Sequence, residues 1–557
     1  MLFLASLAFL LACPPASASP QQPPQTIAAR DVVADFRLVP LLDGPNDPVW
    51  TDEQHTQVLT RAKMLNVDEH SATRAWIAAQ SALQQAQPCA APATAPTPFA
   101  GTLASQLNKL LQRPEVSAVL VTSPQLQLDQ PILLNRDGVA LDLGRTELVA
   151  ATSAPYMVRI EGAKNVSLGG GTFRTGNWGL LIARSSHVIV AGVTMSGLTG
   201  GGTLVTASND VTIANNLLQS LGRAPVLIHG ASQNVRVLRN EIRQNLGFSN
   251  WDAGVVLSDR NADLESDPQN LLTTDGYWPQ QQPITSRLVI PQNNLIAWNH
   301  IAANTSSGIY SDGSVRNVFL GNQIENNAKE GICLDNGSSA DVVAFNLIRG
   351  NGKRWGQTDA ALRLDFVLSF GRLPDGTSPA RLPGISVDNA AYNQVVFNNV
   401  DQNSGSGIKT VRTAFYNRIG GNTVTSNNQG LSDTFHFFGI ELGSAMADEP
   451  LAELDFRPSR GNQIFANSVQ GAHYSGIFFA DGSDQNNVFD NAILGATDWS
   501  LESVTPQPNT AENNLTTQPA RNITSGLLPD PALCLHREAP EPKPQLTVPK
   551  HPARPER

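Results

Sequence analysis

The chain has 557 residues, of which 15 % are charged and 44 are glycine, and it carries a net charge of −10. That length supports one large or two ordinary domains, and the composition excludes a coiled coil or a disordered chain. An acidic balance without clustered Lys and Arg argues against a nucleic-acid partner, because neutralising phosphates requires such clusters.

Residues 1–18 read as an export signal. The apolar run from Leu2 to Ala12 is too short to span a bilayer, and Ala16-Ser17-Ala18 offers small residues for cleavage. A second reading of the same stretch is the lipoprotein-like box Leu10-Leu11-Ala12-Cys13, with Cys13 as a lipid anchor. No later segment has the apolar length of a membrane span. A secreted, periplasmic or cell-surface location follows from either reading.

Residues 19–98 form a segment rich in Pro, Ala and Gln. Its part 55–87 favours helix, and 88–98 (PCAAPATAPTP) is a linker by composition. Residues 100–112 place Leu103, Leu107, Leu110 and Leu111 on one helical face that ends at Pro114, which predicts a capping helix at the open end of the next domain. Past the signal the cysteines are Cys89, Cys333 and Cys534. Cys89 and Cys534 are candidates to pair, and the odd count gives no disulfide framework.

From residue 99 to 502 the pattern is of short β-branched runs such as VSAVLVT, VALDLG and YMVRIEG. An internal repeat sets in near residue 160. One half carries Asn-x-(Ile/Leu/Val), read at Asn216, Asn240, Asn299, Asn322, Asn346, Asn399, Asn422, Asn467 and Asn491. The other half carries Gly followed by alternating apolar residues, at Gly179, Gly202, Pro225, Gly254, Gly308, Gly331, Ala361, Gly407, Gly439 and Gly476. Steps of 23 recur, as from 179 to 202 and from 308 to 331. One such unit makes a coil of three strands and three turns, and coils stack at about 4.8 Å, the interstrand spacing. A single coil cannot bury its apolar face, so the repeat predicts an all-β parallel solenoid of 10–13 coils. Asn suits the turns because it tolerates left-handed backbone. Residues 503–557 form a Pro-rich tail, disordered or laid along the last coils.

These columns resemble the right-handed parallel β-helix proteins of the pectin-lyase-like superfamily, above all its carbohydrate-binding and sugar-hydrolase repeats. The resemblance covers residues 100–500. It implies a polysaccharide or oligosaccharide partner and an outer groove that handles it, and trimers occur among relatives. GIKTVR (407–412) is similar to the R-I-K signature of polygalacturonases, but its first Arg and that family's N-T-D, D-D and G-H-G signatures are missing. Direct membership of that family is not supported.

Alternation places the second and fourth residues after each Gly-column residue on the outer, solvent face. The fourth-position column is bland at its ends and acidic in its middle, with Asp312, Asp335 and Asp365 flanked by Tyr310, Arg363 and Lys409. Carboxylates stacked at about 5 Å repel, so at least one is held protonated or shares a cation. The bland alternative is a turn preference for Asp. The sequences 240–259 and 346–365 match position by position and bring in Trp251 and Trp355, which with Tyr310 are candidates to stack on sugar rings. Long excursions at 260–284, 366–390 and 444–460 are expected to wall a groove. Gly384-Ile-Ser-Val-Asp388 also fits the motif; it is either a coil of its own, making Asp388 a further acidic member, or part of the inserted loop, and the lack of an Asn-x-Ile strand between 366 and 383 favours the loop.

Three functions fit these residues. Glycoside hydrolysis uses two carboxyls of the trio Asp312, Asp335 and Asp365, with Tyr310, Arg363, Asp388, Lys409, Arg412, Glu441, Trp251 and Trp355 binding substrate and no cofactor required. A polysaccharide lyase or uronate C5-epimerase would hold Ca²⁺ on the same trio, with Lys409 or Arg412 as base. A non-catalytic polysaccharide binder needs neither. His229, His436 and His473 lie on distant coils without metal-ligand spacing.

Overall fold

Short strands with one apolar face become stable only by stacking, and every strand pairing described in the chain is a parallel one between successive coils. The computed structural model describes residues 95–528, apart from 151–154, 248–251, 259–289, 336, 353–381, 389, 412–413, 428–437, 444–458, 472, 481–482, 505–508 and 524–526. It is a parallel β-solenoid of about 13 turns. Three sheets run its length, here called sheets I, II and III, with 15, 14 and 15 strands among the described residues. A representative coil places Ile309–Asp312 in sheet II, Val318–Leu320 in sheet I and Gln323–Glu325 in sheet III, before Ile332–Asp335 returns to sheet II. Strands continue past residue 502, through Thr510–Glu512 to Leu527–Leu528, so the solenoid extends into the stretch expected to be tail.

The interior is a set of apolar columns. Ile309, Ile332, Ile385, Ile408, Ile440 and Ile477 stack in sheet II, all fully buried. Each such burial is worth about 1.5–3 kcal/mol. The Gly column sits where no side chain fits: a Cβ at Gly331 would lie 2.8 Å from the Gly384 carbonyl oxygen and 3.1 Å from Asn351 Nδ2. At the N-terminal end, Ala104–Leu111 is a helix with Leu107 and Leu111 in the core, packed on Gln125–Leu128 and Ile132–Leu134. Leu103 lies at its N-cap and Leu110 is only half-buried, so the buried face is made by Ala104, Leu107, Asn108 and Leu111. The helix expected at 55–87 lies outside the described residues, as do Cys13, Cys89 and Cys534. Among the described residues no helix is long and apolar enough to cross a membrane.

Three asparagine ladders lock the turns. In the longest, from Asn216 to Asn514, each side-chain amide donates to the Oδ1 of the next member, as Asn322 does to Asn346 at 3.0 Å and Asn346 to Asn398 at 2.9 Å. The ladder member in this coil is Asn398; Asn399, read as the repeat residue from sequence, is exposed and starts the following strand. The reason for Asn also differs from the expected one. Left-handed backbone falls on the residue before the ladder Asn, Phe345 (φ 57°) and Phe397 (φ 57°), whereas Asn346 and Asn398 are not among the positive-φ residues. Asn is needed for its paired donor and acceptor in a buried turn, where its Oδ1 accepts a backbone N–H and its amide donates to the next member and to a backbone carbonyl.

Candidate functional site

Sheet II carries the candidate residues, and its register corrects one expectation. Ile385–Asp388 is a strand of its own, pairing with Ile332–Asp335 on one side and with Ile408–Val411 on the other. It is therefore a coil and not part of a loop. The same register brings Asp388 beside Asp335, and Ser386 beside Cys333, in the places expected for Asp365 and Arg363. Asp365 and Arg363 lie outside the described residues, as do Trp251, Trp355 and Arg412. The acidic row that is described runs Asp312, Asp335, Asp388 over three consecutive coils. Residues 259–289 and 444–458, expected among the groove walls, are outside the described residues as well.

A second correction concerns exposure. The second and fourth positions do point away from the lumen, but most are not solvent-exposed. Tyr156, Trp178, Leu181, Leu204, Leu227, Val256, Tyr310 and Cys333 belong to a second apolar cluster on the outer side of sheet II. Period-two alternation fixes which side of a sheet a residue takes; it does not fix whether that side is wet. Asp312 is fully buried and Asp335 is 7 % exposed, while Asp388 and Lys409 are half-buried. The row thus meets solvent at its Asp388 end.

Each buried carboxyl is supplied with donors, as burial of charge demands. Ser258 Oγ donates to Asp312 Oδ2 at 3.0 Å, and the Tyr310 hydroxyl donates to Asp335 Oδ2 at 2.8 Å. Burial, and after it the charges of Asp335 and Asp312, pushes the Tyr310 phenol well above its ordinary range. One coil beyond Asp388, Lys409 Nζ lies 2.9 Å from Glu441 Oε1, whose other oxygen accepts from Ser406 Oγ at 2.6 Å. Lys409 and Glu441 are direct ladder partners, so this ion pair continues the polar part of the face.

Glu330 is a member that the repeat did not reveal. It precedes Gly331 in the coil of Asp335, is 8 % exposed, and accepts from Ser307 Oγ at 2.8 Å. Burial raises its carboxyl above the usual range; its own backbone, Ser307 and Lys329 oppose that, and the charge of Asp388 adds to it. Glu330 and Asp388 therefore feel each other across the coil boundary, one pushed toward the protonated form, the other open to solvent. The signal that could have found Glu330 is an acidic residue where the neighbouring coils place Ser307 and Pro383.

Chemically, the row offers carboxyls at about 4.8 Å steps, a phenol that donates, and a lysine at its open end. Among the described residues no group of three or more His, Cys, Asp or Glu has the geometry to hold a metal ion.

A family model described as periplasmic copper-binding protein (NosD) matches residues 284–356. Within that stretch His300 lies in sheet III and Cys333 in sheet II, so the described soft donors do not converge and no copper chemistry is carried over. No curated protein gives a sequence match to the chain. Among solved structures, the A-module of a mannuronan C-5 epimerase from Azotobacter vinelandii is 14 % identical, with 73 % of this chain and 91 % of that one covered at a TM-score of 0.44. A DFA-IIIase from Arthrobacter chlorophenolicus A6 in complex with DFA-III is 10 % identical over 69 % and 88 %, at 0.40. A surface adhesin of Streptococcus pneumoniae is 14 % identical over 71 % and 87 %, at 0.38. With three parallel sheets wound coil upon coil and the family model matching its centre, the chain has the fold of a parallel β-helix protein.

Proposed function

We propose that the protein is exported and cleaves a polysaccharide or oligosaccharide by glycoside hydrolysis on the outer face of sheet II. The observation that carries this reading is the acidic row Asp312, Asp335, Asp388 in consecutive coils, with the buried Glu330 in the middle coil raised by burial and, to a smaller degree, by the charge of Asp388. Hydrolysis needs one protonated and one ionised carboxyl, and burial favours the protonated form of Glu330. Glu330 is the general acid that protonates the leaving oxygen. Asp388 is the nucleophile that forms a glycosyl ester at the anomeric carbon. Water, deprotonated by Glu330, then releases the sugar. Asp335 and Asp312 extend the row, and Lys409 and Glu441 bind sugar hydroxyls beyond it.

The buried Tyr310 phenol is a donor that resists ionisation, so it is a poor base for removing an α-proton. Location outside the cytoplasm agrees with the Leu2–Ala12 run and with the periplasmic description of the matched family.

The test is a panel of neutral and uronic polysaccharides incubated with the full chain, with and without chelator. New reducing ends without unsaturated product, unaffected by chelator, support hydrolysis. A chelator-sensitive rise in unsaturated uronate points to the calcium-assisted lyase instead, and binding without any product points to a non-catalytic binder.

A further inference from the structure

The third asparagine ladder contains one member that is not asparagine. It runs Asn294, Asn317, Asp341, Asn393, Asn417, Asn462, Asn486, Asn509, and Asp341 falls in the coil of Asp335. A ladder asparagine both accepts and donates. Asn393 does both: its Oδ1 accepts from the Asp341 N–H at 3.0 Å, and its Nδ2 donates to Asn417 Oδ1 and to the Ser338 carbonyl, each at 3.1 Å. Asp341 performs only the accepting half, from the Asn317 N–H at 2.7 Å and Nδ2 at 3.1 Å. Its other oxygen, Oδ2, stands where every other member has a donor. The neutral acid, whose O–H replaces the missing N–H, is the form that fits. Burial acts in the same direction and raises Asp341 to about 8, against the hydrogen bonds from Asn317 and Ser311; no charged side chain is among its causes.

A second departure lies beside it. In the inward column of sheet II, Ser311 stands between Leu257 and Leu334, with Val387 next. Ser311 is fully buried, with its Oγ 2.5 Å from Ser314 Oγ, 3.1 Å from Ser338 Oγ and 3.3 Å from Asp341 Oδ2. Ser338 Oγ also donates to the Ser311 carbonyl at 2.8 Å. Ser311 sits between Tyr310 and Asp312 on one strand. The polar cluster therefore grips, from inside the lumen, the strand whose two outward side chains belong to the acidic row. A lumen selected for stability alone would place an apolar residue at 311 and an asparagine at 341, because buried polar groups without full pairing cost stability.

We propose that Asp341 and Ser311 are positioning residues, tying the strand Ile309–Asp312 to the coil of Asp335 so that Tyr310 and Asp312 stay in register with the Asp335 carboxyl. The role assigned to the row rests on the function proposed above; the mechanical coupling does not.

The test uses the full chain labelled with carbon-13 at the aspartate carboxyls, with the Asp312 and Asp335 resonances assigned from Asp312→Asn and Asp335→Asn. Asp341→Asn restores a regular ladder and Ser311→Val restores an apolar column; Ser311→Ala makes the same deletion without added bulk. Both changes are expected to leave melting temperature at pH 8 equal or higher, yet to shift the Asp312 and Asp335 resonances and their titration curves. On a substrate found in the panel, they lower kcat at least tenfold with KM little changed. Unmoved carboxyl resonances in a folded Asp341→Asn and Ser311→Ala would overturn the proposal. Full turnover in Asp335→Asn would instead remove the functional reading, while the resonances still decide the coupling.

Discussion

The Tyr310 hydroxyl donates to Asp335 Oδ2 at 2.8 Å, joining two neighbouring coils through their outward side chains. Both residues are buried, so the bond is a charge-assisted contact shielded from water. Tyr310→Phe keeps the ring and removes the donor. It is expected to cost about 1–3 kcal/mol, the penalty of leaving a buried acceptor short of a partner. Urea unfolding of the two proteins measures it, and equal midpoints would show that Asp335 does not depend on this donor.

The ladders make a second prediction. Asn346 accepts from the Asn322 N–H at 2.9 Å and donates to Asn398 Oδ1 and the Phe319 carbonyl, both at 2.9 Å. Asn346→Ala strips these bonds from a buried turn, and a loss of about 2–4 kcal/mol is expected from several unsatisfied groups together. Asn399→Ala, one residue outside the ladder in the next coil, should fall within about 0.5 kcal/mol of the parent. Similar losses in the two variants would contradict the assignment of the ladder to Asn398.

Asp341 gives stability a pH dependence with a definite sign. Its folded-state value is raised from 3.8 to about 8, so its favourable contribution is complete below about pH 4 and is lost as pH rises toward 8. Asparagine has no such loss. Asp341→Asn should therefore raise the melting temperature little at pH 4–5 and by several degrees at pH 8. A gain that is the same at both pH values would mean that Asp341 does not titrate in this window.

His300 has the opposite origin but the same direction. Its Nδ1 lies 3.1 Å from Glu241 and its Nε2 3.7 Å from Glu325, and the hydrogen bond that it donates to Glu241, opposed by burial, raises it above 6.5. The imidazolium stabilises the fold below about pH 6.5 and ceases to as pH climbs through the raised folded value. His300→Gln should lower stability at pH 5.5 by under about 1 kcal/mol, since the pair is partly exposed, and by almost nothing at pH 9. Thermal melts at the two pH values check this.

The solenoid was legible because its cause is repetitive. Gly331-Ile-Cys-Leu-Asp335 repeats Gly308-Ile-Tyr-Ser-Asp312 at a step of 23, and sheet II pairs them in that register. The continuation was harder. Ala361-Leu-Arg-Leu-Asp365 mimics the same strand, and alternation alone cannot tell which of two similar segments stacks on Asp335. The coil that does is Gly384–Asp388, which follows the ladder residue Asn351 in the chain with 353–381 between them. Glu330 escaped notice because it sits just before the Gly column, where the repeat prescribes no type. The dryness of the outer face was illegible for another reason: pattern sets direction, while exposure depends on what packs outside.

The central claim is that the open end of the acidic row performs chemistry on a glycan. Turnover of Asp388→Asn, Glu330→Gln and Asp365→Asn on a substrate identified in the panel tests it most directly. The account predicts losses of about 10²–10⁴-fold for Asp388→Asn and Glu330→Gln, and near-parent turnover for Asp365→Asn. Full activity in Asp388→Asn, or a loss confined to Asp365→Asn, would contradict it.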